Sequence, residues 1–172
     1  MKLLIKQTVF SALEHFTVTD EAGNVRFEVK SPMGFRVGLK LHISDANGAE
    51  VALINQKAFS FQPTFRVFRN GTQTATIIKK FTLVSQKYEV PELGWTVKGD
   101  FLAHDYCIFK DSEPIMLIRK EWFAWGDTFV LDIVDEAHLI EALAVVLAID
   151  CVVDEQGNGI KVNGRGIDGI FN

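Results

Sequence analysis

The pair His104-Asp105 is the first place to look for chemistry, because a neighbouring carboxylate can orient an imidazole as a general base. Such a base needs a group to activate, and no serine, threonine or cysteine nucleophile signature accompanies it. His15, His42 and His138 are scattered, and none has a second ligand at metal spacing. Cys107 and Cys151 also lack that spacing and read as two free, buried thiols. Gly164-Arg165-Gly166-Ile167-Asp168-Gly169 matches the dinucleotide-binding fingerprint letter for letter. That motif works only with a following helix whose N-terminus receives the pyrophosphate, and three residues are too few to form one. Asp154-Glu155-Gln156-Gly157-Asn158-Gly159 opens like a calcium loop, but Arg165 stands where the bidentate glutamate belongs. These readings predict a protein that is not an enzyme and holds neither metal nor cofactor.

The basic and aromatic residues suggest binding instead. Lys79, Lys80, Lys87, Lys98, Arg119 and Lys120 all fall between residues 79 and 120. Lys79-Lys80 and Arg119-Lys120 each follow an isoleucine in an alternating segment. If they share one rim of a barrel, they would attract anionic lipid headgroups at ~1 kcal/mol per well-placed charge; the plainer alternative is a solvated strand face. Trp122, Phe123 and Trp125 sit where a hairpin should turn, and there they either touch a membrane or partner or fold back over the barrel end. A net charge of −4, from 18 Lys and Arg against 22 Asp and Glu, argues against a nucleic-acid partner.

The elements that would carry these residues are mostly strands. Phe35 to Ile43 alternates strictly, with odd positions apolar and even positions polar or glycine, and Val25–Lys30 and Trp95–Lys98 do the same. Turn signals recur at 21–24, 45–48, Asn70-Gly71 and 111–114. Similar segments at 52–57, 76–80 and 116–120 read as hairpins built to one plan. About twelve strands precede residue 134, which predicts an all-β sandwich or barrel.

The pattern changes at Asp135, a suitable helix N-cap. Ala142 to Ile149 is apolar on every face, as a helix buried in a core requires. Glu141 and Asp150 bracket this run, which is too short to span a bilayer at ~20 apolar residues. The expected architecture is therefore one domain over 1–153, an antiparallel closed barrel filled by a helix at about 136–151. A glycine-rich tail is expected over 154–172. The first residues lack the apolar run of a signal peptide, so a cytoplasmic location is expected, with peripheral contact to membranes.

The ordered set Ile77-Ile78-Lys79-Lys80-Phe81, Tyr88-Glu89-Val90, Trp95–Gly99, Ile118–Trp122, Gly126–Phe129 and the helix ending Ala148-Ile149-Asp150 resembles the LURP-one-related family. That family is grouped with tubby C-terminal domains and phospholipid scramblases. The resemblance implies a twelve-stranded barrel around a central helix. It also implies a non-enzymatic domain that binds anionic phospholipid, phosphoinositides in the tubby case, or a protein partner. Lys79, Lys80, Arg119 and Lys120 are the candidate contacts. Other roles left open are a barrel holding a small apolar ligand and a pure protein-interaction domain.

Overall fold

The computed structural model describes residues 1–6, 15–32, 38–81, 86–123 and 126–163. Twelve strands follow one another: β1 (Lys2–Lys6), β2 (His15–Asp20), β3 (Val25–Lys30), β4 (Lys40–Asp45), β5 (Glu50–Gln56), β6 (Thr64–Arg69), β7 (Thr72–Phe81), β8 (Gln86–Val90), β9 (Trp95–Asp100), β10 (Asp105–Lys110), β11 (Glu113–Phe123) and β12 (Gly126–Ile133). Each pairs antiparallel with the next, and β1 pairs with β12 from Lys2 opposite Asp132 to Lys6 opposite Thr128. The sheet is thus a closed barrel, as expected, and closure removes the exposed edges an open sheet would present.

Alternation decides which side chains enter. Leu41 and Ile43 of β4, Phe65 and Val67 of β6, and Ala75 and Ile77 of β7 are buried, with polar or half-exposed residues between them. Asn70-Gly71 turns the chain between β6 and β7 with both residues at positive φ (49° and 76°), the conformation that a two-residue hairpin demands. Asp111-Ser112 does the same between β10 and β11 without a glycine. The alternation seen from Phe35 does not all become strand. β4 begins at Lys40, after Gly38 adopts a left-handed φ of 78°, and residues 33–37 lie outside the described residues.

Asp135 caps the turn that starts the helical segment, its carboxylate accepting from the Ala137 amide at 3.0 Å. A short 3-10 turn (Glu136–His138) leads into α1 (Leu139–Asn163). From Glu141 to Val152 every residue of α1 is buried, so the helix fills the barrel as its all-round apolar character requires. The helix is longer than the expected 136–151, and its last turns take in residues 154–163 of the expected tail. Gly157 and Gly159 read as breaks, yet an interior glycine costs only ~1 kcal/mol against alanine, and an established helix propagates readily. Among the described residues, no helix is long and apolar enough to cross a membrane.

Candidate functional site

In a closed antiparallel barrel all odd-numbered strands run one way, so the connections fall on two rims. After β12 the chain enters the barrel at the rim that also holds the β2–β3, β4–β5, β6–β7, β8–β9 and β10–β11 turns. Acids crowd this rim: Asp20, Glu21, Asp45, Glu50, Asp135 and Glu136, opposed mainly by Lys2, Arg26, Arg69 and Lys110. The opposite rim, where the helix leaves, carries Lys30, Lys40, Lys57, Lys80, Lys87 and Lys98. Among the described residues its acids are Glu28, which holds Lys30 at 2.9 Å, with Asp100, Asp105, Glu121 and Asp127. A chain that is acidic overall therefore has one basic end.

The four expected cations do not form a single cluster. Lys80 faces outward on β7, directly opposite Lys87 of β8, and Lys87 is held by Glu89 at 2.7 Å. Like charges directly opposite each other destabilise a sheet unless something else neutralises them. Arg119 is exposed on the outer wall of β11, 3.9 Å from Asp132. Four strand spacings, ~19 Å along the wall, separate it from Lys80. Lys79 is a correction: it is 1% exposed and points inward with Ala75 and Ile77, its ammonium 5.2 Å from the centre of the Phe81 ring and 6.0 Å from that of Tyr88. Burial lowers its pKa. Lys120 lies on the same face of β11 as Met116 and Ile118, half-buried, and its charge acts on His104. Trp122 and Phe123 end β11 at the basic rim, where their side chains lie outside the described residues, as does Trp125 altogether.

Beneath that rim the helix meets a set of buried polar groups. His104 has a left-handed φ of 52°, stacks against Phe129 with ring centres 4.4 Å apart, and brings Nδ1 to 4.0 Å from Oδ1 of Asp150. Burial first, and Lys120 second, lower the imidazole pKa against the opposing pull of Asp100, so the ring is neutral and the Asp150 approach is dipolar. Tyr88 and Tyr106 have raised pKa values, chiefly from burial, with Cys151 acting on Tyr88 and Asp150 on Tyr106. Burial also pushes up the Cys107 thiol, which keeps it protonated. Each shift removes charge from the interior. Among the described residues none of these shifts activates a nucleophile, and the carboxylate near His104 Nδ1 is that of Asp150 rather than of the adjacent Asp105 that the sequence suggested. Among the described residues, no cluster of three or more His, Cys, Asp or Glu could hold a metal ion. A surface depression of about 500 Å³, lined by residues including Glu50, Leu53, Phe68 and Asn70, lies toward the acidic rim, away from all of these groups.

A family model described as LURP-one-related matches residues 1–150, which span all twelve strands and most of the buried part of α1. The chain belongs to the LURP-one-related family. It is also similar to the uncharacterised protein YxjI of Bacillus subtilis (strain 168), with 26% identity over 153 residues that cover 89% of this chain and 94% of that one. The family match stops at Asp150, so the last turns of α1 are outside it. Both Lys80 and Lys87 fall within it.

Sequence reasoning missed three features of this LURP-one-related barrel. The cross-strand Lys80–Lys87 pair depends on register. The two-sided charge depends on strand parity. Phe59 and Phe61 are fully exposed on the β5–β6 connection, which the sequence offered no signal to separate from buried aromatics. Lys79 had a legible signal, because it shares parity with Ala75 and Ile77, but the apolar Ile78 blurred the choice of face.

Proposed function

We propose that this domain acts by binding rather than catalysis, as a peripheral protein on the cytoplasmic side, and that it meets an anionic phospholipid surface with its basic rim. The observation that carries the reading is the sorting of charge: acids at one end of the barrel and exposed lysines at the other. Such a distribution orients the molecule near a negative surface even though its net charge is −4. The opposed Lys80 and Lys87 are the best-placed anion contact, since a phosphate between them would relieve their repulsion. The helix occupies the interior, which favours a target outside the barrel over an apolar ligand within it. The kinship with tubby and scramblase domains that the sequence resemblance implies points to the same class of target.

Co-sedimentation with vesicles of phosphatidylcholine, alone or with phosphatidylserine or a phosphoinositide, at low and high salt, tests the reading. Binding should require anionic lipid and weaken with salt. Lys80→Glu with Lys87→Glu should lower affinity by roughly 1,000-fold, at ~1 kcal/mol for each of the four charges removed or added. Arg26→Glu with Lys110→Glu changes net charge equally at the acidic rim and should leave binding nearly unchanged. Equal losses in both variants, or no binding to any vesicle, would refute the reading and leave a protein partner as the target.

A further inference from the structure

Among the described residues, the large exposed aromatic side chains lie at the basic rim. Phe59 and Phe61, on the β5–β6 connection, are 99% and 100% exposed, Phe81 at the end of β7 is 55% exposed, and Leu102 on the β9–β10 turn is 72% exposed. At the acidic rim the large apolar side chains in the open, among the described residues, are the aliphatic Val25 and Val134. A phenyl ring left wholly in water gains nothing for the fold, and exposed apolar groups ringed by charge mark a contact surface.

These tips are held out by the backbone rather than left loose. The Lys57 amide donates to the Thr64 carbonyl at 2.8 Å, closing the 57–64 loop at its base. The Lys79 amide donates to the Pro63 carbonyl at 3.0 Å, tying the loop to β7, and the Thr64 hydroxyl donates to the Gln62 carbonyl at 2.9 Å. Phe59 itself has a φ of 50°, a left-handed conformation unfavourable for a residue with a Cβ. Backbone strain of this kind persists where the surrounding structure enforces it, and here it aims an aromatic ring into solvent.

Resting on the lipid reading above, we propose that Phe59 and Phe61, flanked by Phe81 and Leu102, insert into the headgroup boundary of an anionic bilayer while the lysines around them contact phosphates. Two features favour a bilayer over a folded partner. The apolar tips come from three separate places, the β5–β6 connection, the end of β7 and the β9–β10 turn, so they suit a fluid, roughly planar medium better than a shaped pocket. Lys57, Lys80, Lys87 and Lys98 lie on the same rim, the pairing of interfacial aromatics with basic residues that anionic lipid selects. Phe59, Phe61 and Phe81 come from neighbouring strands, and Leu102 extends the set to the β9–β10 turn.

The test uses the full chain and phosphatidylcholine–phosphatidylserine vesicles, with bromine on the lipid acyl chains as a depth probe. In Phe61→Trp, vesicle binding should shift the added indole emission to the blue, and brominated lipid should quench it, relative to the parent protein. Phe59→Ser with Phe61→Ser should weaken binding about 100-fold, near tenfold for each ring, without changing its salt dependence. Neither side chain is buried, so the melting temperature should not move, which separates lost insertion from lost fold. Salt-sensitive binding with no quenching of the added indole and full affinity in the double serine variant would overturn insertion while leaving the electrostatic reading intact. Absence of binding to every vesicle would overturn both. Vesicle affinity unchanged in the double serine variant, with loss of a bound protein instead, would assign the tips to a protein partner.

Discussion

Gly99 shows how tightly single residues are specified at the basic rim. Its φ is 141°, and a Cβ added there would lie 2.5 Å from Cα and 2.6 Å from Cβ of Tyr106, its cross-strand neighbour. Neither backbone nor core tyrosine can retreat, so Gly99→Ala should cost about 3 kcal/mol or more in urea unfolding. A loss under ~1 kcal/mol would mean that β9 and β10 separate easily. His104 offers a test of pH. Its folded-state pKa is below the ordinary 6.5, so as pH falls through 6.5 the unfolded chain takes up a proton that the folded ring refuses. The stability this group contributes is therefore present above pH 6.5 and is lost progressively down to its folded pKa. His104→Asn keeps a residue that tolerates the left-handed φ and removes the titration. The variant should lose less stability than the parent between pH 7.5 and pH 5.5, as read from urea midpoints at each pH. An identical loss would show that His104 does not bear the acid sensitivity.

At the scale of the element, the central helix is anchored by charge at its entry. Arg69, at the end of β6, donates to Glu141 Oε1 at 3.1 Å, and the Glu141 side chain is only 7% exposed. Its other oxygen, Oε2, has no hydrogen-bond partner among the described residues. Removing the arginine strands a buried carboxylate, so Arg69→Ala should destabilise by roughly 1–3 kcal/mol. Because the penalty comes from the orphaned charge, adding Glu141→Leu should restore most of the loss. If the double variant is no better than the single one, the guanidinium matters through packing instead. The elements themselves were largely legible. Period-two alternation located the strands, the Asn70-Gly71 and Asp111-Ser112 signals located their turns, and the apolar run from Ala142 located the helix. Its end was misread because residues 154–163 have no apolar face to mark them as helical, and their glycines resemble a stop.

For the whole molecule, charge is sorted along the barrel axis although it is interspersed along the chain. Acidic turns follow even-numbered strands and lysine-bearing ends follow odd-numbered ones, and closure gathers each set onto its own rim. Net charge hid this, because a sum carries no direction. The same parity brings Phe59, Phe61, Phe81 and Leu102 to the lysine rim, which is why the vesicle experiments separate the two rims at constant net charge. It also splits the expected site: Lys79 and Lys80 are neighbours in sequence, yet one enters the core and the other faces solvent.

Relations between near neighbours were legible along the chain. Alternation sets a strand and its buried face, positive-φ residues set a turn, and an all-round apolar segment must be enclosed. Together these specified a barrel with a helix inside and pointed to the LURP-one-related family. Relations that depend on register and strand parity came from the closed fold. It paired Lys80 with Lys87, set His104 against Asp150 instead of Asp105, and collected bases and exposed phenylalanines on one rim. Those relations join residues whose separation in sequence carries no local signal. A shift of one residue would send every side chain of a strand to the other face, so the candidate site exists only once the closed sheet fixes the register.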